Sequence, residues 1–142
     1  MEPAPELCSL LQRYYAASAQ GETGFLDQIL ARHPGALVIG TDATEWWCGG
    51  DQIFQIWSAA WQQRGGLPVQ ESQPQAFRAG TVGWVADRAK WCLPDGRTIP
   101  FRLSAVFHDD GDTWRLVQAH FSVGVPNETL ASEVLREGEA LP

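Results

Sequence analysis

Lysine is almost missing from this 142-residue chain, in which Lys90 stands alone and the other nine of the ten bases are arginine. Seventeen Asp and Glu leave a formal charge of −7. No cluster of bases interrupts that balance, so the positive footprint that holds DNA or RNA phosphates is missing and nucleic acid is excluded as a partner. No uncharged apolar run approaches the roughly 20 residues that cross a bilayer, so no membrane partner is expected. The N-terminus opens with Glu2 and Glu6, and Gln12 and Arg13 interrupt its apolar stretch, which argues against a signal peptide. Cysteine is scarce as well. Cys8, Cys48 and Cys92 are odd in number, far apart and without C-x-x-C spacing, so reduced thiols and a cytoplasmic location are expected.

Cofactor signatures are equally sparse. There is no H-x-x-x-H, and Asp109-Asp110-Gly111-Asp112 lacks the ligand spacing and terminal Glu of a calcium loop, so no metal is expected. Neither a G-x-G-x-x-G nor a Walker loop occurs, and no nucleotide cofactor is expected. G-x-S-x-G is absent too, which removes a serine hydrolase.

What the chain has in excess is tryptophan, seven against two Tyr and six Phe. The length fits one domain over residues 1–142, with a core over about 5–126 and a short helix and tail over 127–142. Leu7, Leu10, Leu11, Tyr14 and Tyr15 recur at helical spacing and predict a helix from about Pro5 to Ala19. Phe25, Leu26, Ile29 and Leu30 predict a second over Thr23 to Arg32, with Thr23 as its cap. Ala36 to Thr41 reads as a strand. Ile53, Trp57, Ala60 and Trp61 mark a third helix ending before Gly65-Gly66, with Asp51 the expected cap. From Val69 to Gly124 the period shortens toward two. Turn chemistry at Pro94-Asp95-Gly96 and Asp109-Asp110-Gly111, with a break near Ala79-Gly80, predicts four consecutive antiparallel strands. Three helices before one curved sheet make an α+β layer architecture.

The hairpin from Pro100 to Val125 is the most informative stretch. Alternation puts Phe101, Leu103, Ala105 and Phe107 on one face with Val117, Ala119, Phe121 and Val123, an apolar face that must meet the helices. Arg102, Ser104, Val106, His108, Trp114, Leu116, Gln118, His120 and Ser122 fall on the other. That mixed face is too apolar for free solvation and suits a subunit interface.

Two segments carry a family resemblance. Val38-Ile39-Gly40-Thr41-Asp42-Ala43-Thr44-Glu45-Trp46 and Trp114-Arg115-Leu116-Val117-Gln118-Ala119-His120-Phe121-Ser122 resemble the SnoaL-like branch of the nuclear transport factor 2-like superfamily. The last segment is also similar to the calcium/calmodulin-dependent kinase II association domain. The resemblance covers residues 5 to 126. It implies a cone-shaped, cystatin-like roll with a curved antiparallel sheet wrapped on helices around a pocket, and dimers formed through the outer sheet face. A homodimer through Arg102, Ser104, Trp114, Leu116, Gln118 and His120 is therefore expected. Compared with the superfamily's ketosteroid isomerases, Leu10-Leu11-Gln12-Arg13-Tyr14 resembles the segment carrying the oxyanion tyrosine, at Tyr14. Pocket aromatics fall at Phe121 and near Trp57. Their oxyanion acid falls near Leu103 and their general base near Val38 to Gly40, where this chain has no carboxylate.

The catalytic candidates are therefore Tyr14, Asp42 and Glu45. Tyr14 reads either as a hydroxyl donor to a ligand or as a core tyrosine with its hydroxyl at the rim. Asp42 and Glu45 read either as replacement bases or as loop-capping carboxylates. Trp46, Trp57, Trp61, Leu103 and Phe121 are the expected ligand-binding residues, with plain core as the other reading of Trp57 and Trp61. The expected function is a small-molecule pocket for an apolar or polycyclic ligand, with isomerase, cyclase or hydratase chemistry in view. The alternative is a non-catalytic association module.

Overall fold

The computed structural model describes residues 1–136. Helix α1 (Pro5–Gln20) starts with proline in its first turn, where no amide partner is lost. Leu7, Leu11, Tyr14, Tyr15 and Ala17 bury along one stripe of it. Helix α2 (Thr23–Ile29) is shorter than its apolar pattern suggests, and its N-cap is Glu22 rather than Thr23. Helix α3 (Gly50–Arg64) is capped by Gly49 rather than Asp51 and buries Ile53, Trp57 and Trp61. Arg32 ties α2 to α3, bridging Asp27 at 2.6 Å and Asp51 at 3.1 Å while lying 3.8 Å over the Phe54 ring.

The sheet is built from β1 (Glu2–Pro3), β2 (Leu37–Ile39), β3 (Trp46–Cys48), β4 (Val69–Gln70), β5 (Gln75–Ala79), β6 (Val82–Cys92), β7 (Thr98–Asp109) and β8 (Trp114–Ser122). Its order is β1-β5-β6-β7-β8-β2-β3, with β4 also on β6. The expected meander is β5 to β8, joined by the turns read from the sequence. Strand β2 lies parallel to β8, through Val38 opposite Ala119, so one pair in an otherwise antiparallel sheet is parallel. Asp110 closes the β7–β8 turn by accepting the Thr113 and Asp112 amides and pairing with Arg115, which together hold its carboxyl well below the usual range.

One face of the sheet packs on the helices through Val85, Ala89, Phe101, Leu103, Ala105, Phe107 and Ala119. Gly83 belongs to this face, and a Cβ there would meet Leu7 Cδ1 at 2.4 Å, so its bare backbone lets α1 sit close. The expected outer face needs two corrections. Phe107 pairs with Leu116 and Val106 with Gln118, leaving Val117 as an extra residue in a bulge. One extra residue reverses the facing of everything before it. Leu116 is therefore buried in the core, and Trp114 packs inward under Arg78, whose guanidinium lies 4.8 Å from the ring. Arg102, Ser104, Gln118 and His120 keep their outer positions, joined by Phe77, Trp84, Arg88 and Val106 through the β5–β6–β7 register. Helix α4 (Asn127–Arg136) follows, with Leu130 exposed. Residues 137–142 of the expected tail, and the side chains of Val134 and Leu135, lie outside the described residues.

Candidate functional site

A cleft of about 550 Å³ opens where the second half of α1, the segment after α3 and the ends of β6 and β8 meet. Tyr14, Tyr15, Trp91 and Phe121 supply its aromatic wall, Leu67, Val69 and Pro94 its apolar rim, and Ser18 and Arg64 its polar side chains. Helix α3 stops at Gly65, so its last residue, Arg64, reaches the mouth. Gly66 lies on α1, with its N–H donating to Ser18 O at 2.8 Å, and a Cβ at this position would meet Ser18 Oγ at 2.2 Å. Any side chain there would have to displace the Ser18 hydroxyl, one of the polar groups of the cleft.

The aromatic contacts close into a ring. Tyr14 touches Tyr15 (6.1 Å between centroids), Tyr15 meets Phe101 edge-on (6.0 Å), and Phe101 stacks on Trp91 at 4.0 Å. Trp91 neighbours Phe121 (6.4 Å), Phe121 neighbours Trp57 (6.3 Å), and Trp57 returns to Tyr14 (5.8 Å). Rings held on both sides are fixed in orientation, so the four that face the cleft present a preformed surface.

Two hydroxyls in this wall differ in what they can do. Burial pushes the Tyr14 phenol well above its ordinary pKa, so it stays protonated, and among the described residues its hydroxyl has no hydrogen-bond partner. It is free to donate to an acceptor in the cleft. The Tyr15 hydroxyl is engaged, donating to Asp87 Oδ2 at 2.9 Å. Burial, then the Asp87 charge and this hydrogen bond, raise its pKa strongly. Asp87 is 5% exposed and also accepts the Ser72 hydroxyl at 2.7 Å and the Gln73 amide at 3.0 Å. Three donors on one buried carboxylate anchor the link between β4 and β5 to the wall of the cleft.

Of the residues singled out in the sequence, Tyr14 and Phe121 come together in the cleft. Trp57 and Trp61 do not line it. They stack 6.5 Å apart behind Tyr14, and where Trp57 meets Leu103 and Leu116 the core closes around a void of about 10 Å³, enough for roughly one water. The indoles fill the roll that they were expected to wall, because α3 lies close enough for their rings to reach Tyr14 and Phe121. Trp46 is 61% exposed on the edge strand β3. Asp42 and Glu45 close their own loop: Asp42 accepts the Thr44 amide and hydroxyl, and Glu45 accepts the Asp42 amide at 2.8 Å. The Thr44 hydrogen bonds lower the Asp42 pKa, opposite to the rise that a general base near neutral pH requires.

Tyr15, Arg64, Trp91 and Asp87 were not singled out. The signal for two of them was present, since Val85, Asp87, Ala89 and Trp91 alternate on β6 and place a carboxylate and an indole on the helix-facing side. Arg64 and Gly66 read in sequence only as the end of a helix. Among the described residues, no helix is long and apolar enough to cross a membrane, and no three His, Cys, Asp or Glu side chains gather as metal ligands.

Helices laid on one face of a curved, open sheet, with an aromatic cleft at one end, define an α+β protein of the nuclear transport factor 2-like fold. The chain belongs to the SnoaL-like domain family, which it matches over residues 8–126. Solved structures agree. A nuclear transport factor 2-like protein of unknown function from Pseudomonas putida superposes with a TM-score of 0.70 at 14% identity, over 88% of this chain and 89% of that one. A candidate calcium/calmodulin-dependent kinase II association domain from Thiobacillus denitrificans gives 0.70 at 18% identity, over 88% and 98%. A candidate ketosteroid isomerase from Parabacteroides distasonis gives 0.67 at 13% identity, over 83% and 87%. The fold thus includes isomerase-type enzymes and association domains. No curated protein matches the sequence significantly.

Proposed function

We propose that this protein binds a flat, largely apolar small molecule in the cleft beside Tyr14, with a polar or anionic group directed at Arg64. The closed ring of six aromatic side chains, four of them facing the cleft, carries this reading. A cleft of about 550 Å³ falls within the range for small-molecule sites, which are mostly apolar with a few placed polar groups. Tyr14 supplies a neutral donor and Arg64 a cation without a carboxylate partner among the described residues. Among the described residues the lining holds no Asp, Glu or His side chain, so the reading is one of binding and of polarising an acceptor atom.

Titration with 1-anilinonaphthalene-8-sulfonate, a largely apolar aromatic anion with a flat naphthalene ring, tests it through the probe's own fluorescence. Saturable binding is expected, weakened several-fold by Arg64→Gln and by Tyr14→Phe. Absence of saturable binding, or affinity indifferent to both substitutions, overturns the proposal.

A second reading, association through the outer sheet face, is favoured by an apolar patch there. Phe77 and Val82, 37% and 41% exposed, adjoin Trp84 and Val106 on neighbouring strands. Sedimentation velocity at micromolar concentration should show a dimer that Trp84→Glu dissociates. A monomeric native protein removes this reading.

A further inference from the structure

The outer face carries a second feature, beginning one outward row beyond the apolar pair Trp84 and Val106. Ala86 and Ser104, opposite each other on β6 and β7, floor a hollow of about 490 Å³. Arg88 and Arg102 stand directly opposite each other in the next outward row, and His120 flanks Ser104 from β8. A groove of about 540 Å³ continues from the same two arginines toward Pro100 and Gly124.

We propose that this hollow is a binding site for an organic anion whose phosphate or carboxylate group lies between Arg88 and Arg102. Among the described residues Arg13, Arg32, Arg78, Lys90, Arg97 and Arg115 each hold a carboxylate within 4.0 Å. Arg88 and Arg102, like Arg64 at the Tyr14 cleft, hold none among the described residues, in a chain with seventeen acids against ten bases. Arg102 donates through Nε to Ser122 Oγ at 3.1 Å, and among the described residues its terminal amino groups and the whole Arg88 guanidinium have no other partner.

Like charges directly opposite in an antiparallel ladder destabilise it. An anion seated between them replaces that repulsion with paired, charge-assisted hydrogen bonds to two planar forks. Asp87 backs the hollow, but its oxygens are turned to Tyr15, Ser72 and the Gln73 amide. A hollow of this volume exceeds one phosphate ion, and Gln75, Ser104 and His120 offer donors and acceptors for a polar remainder. The site lies on the sheet face opposite the Tyr14 cleft and does not depend on that cleft being a ligand site.

Calorimetric titration of the intact protein with inorganic phosphate, pyrophosphate and citrate, at constant ionic strength and against sodium chloride, tests the assignment. Saturable binding of at least one of the three is expected, and which of them binds identifies the group as phosphate or carboxylate. Arg88→Gln and Arg102→Gln should each weaken it by about 10-fold or more. Ala86→Leu, which fills the floor and keeps both arginines, should weaken it too, whereas Tyr14→Phe should leave it unchanged. Without any anion, Arg88→Gln should raise the unfolding midpoint by about 1–2 °C as the repulsion is removed. Heats no larger than those of chloride, or binding that survives in both arginine variants, overturn the proposal. An anion-independent dimer that Arg88→Gln dissociates also overturns it, because a second copy would then cover the hollow.

Discussion

The Tyr15–Asp87 hydrogen bond allows a worked test of how the cleft wall is held. Tyr15→Phe removes one hydroxyl and keeps the ring between Tyr14 and Phe101. The lost bond runs 2.9 Å to a charged, 5% exposed acceptor, a class whose net value is about 1.5–3 kcal/mol. Asp87 keeps Ser72 and the Gln73 amide, so no donor is orphaned by this change. Near 2 kcal/mol, the unfolding midpoint of a chain this size should fall by about 6 °C. Asp87→Asn should cost more, about 3 kcal/mol, because an amide NH₂ must then face groups that are themselves donors. Urea unfolding followed by far-ultraviolet circular dichroism gives both values and that of the double variant. The two changes act on one bond, so the double variant should fall short of their sum by about 1–2 kcal/mol. A Tyr15→Phe cost below about 0.5 kcal/mol, or strict additivity, would refute the claim that this buried carboxylate pins the β4–β5 link to the cleft.

Two further outcomes follow from burial and from close approach. Both tyrosines of the chain have raised pKa values, so the folded protein keeps protons that the unfolded chain releases above about pH 10, and stability is lost as pH rises through that range. Absorbance at 295 nm should show no tyrosinate before circular dichroism reports alkaline unfolding; a separate earlier titration would contradict the burial of both rings. Gly83→Ala should cost about 1–3 kcal/mol by driving a methyl to 2.4 Å from Leu7 Cδ1, and Leu7→Val should recover part of it. Thermal denaturation of the two single variants and the double variant measures this, and no recovery would place the strain elsewhere.

Much of the architecture was legible because its signals are local. The helix stripes and the inward set from Phe101 to Phe107 follow from periods of 3.6 and two, and the turns at 94–97 and 109–112 from their Asp-Gly chemistry. Residues of the site were harder to read. Tyr14 and Phe121, which line the cleft, were picked out through resemblance, while Asp42 and Glu45 were chosen as acids near an expected opening and close their own loop. Trp91 and Asp87 could have been placed by alternation on β6. What joins them to Tyr15, 72 residues from Asp87 in sequence, is a contact between α1 and the sheet that no local pattern encodes.

Composition and periodicity alone determined the acidic balance, the helix-then-meander order and the inward set Phe101, Leu103, Ala105 and Phe107 of the last hairpin, whereas of its expected partners Val117 lies in the bulge and Val123 is exposed beyond β8. Tertiary structure decided the rest. A bulge at Val117, invisible to strict alternation, turned Trp114 and Leu116 from the outer face into the core. The packing distance of α3 decided that Trp57 and Trp61 fill space rather than enclose it. Register across β6 and β7 set Arg88 against Arg102. Each depends on how elements far apart in the chain meet, and a one-residue slip or an ångström of helix position reverses the result while leaving every local pattern intact.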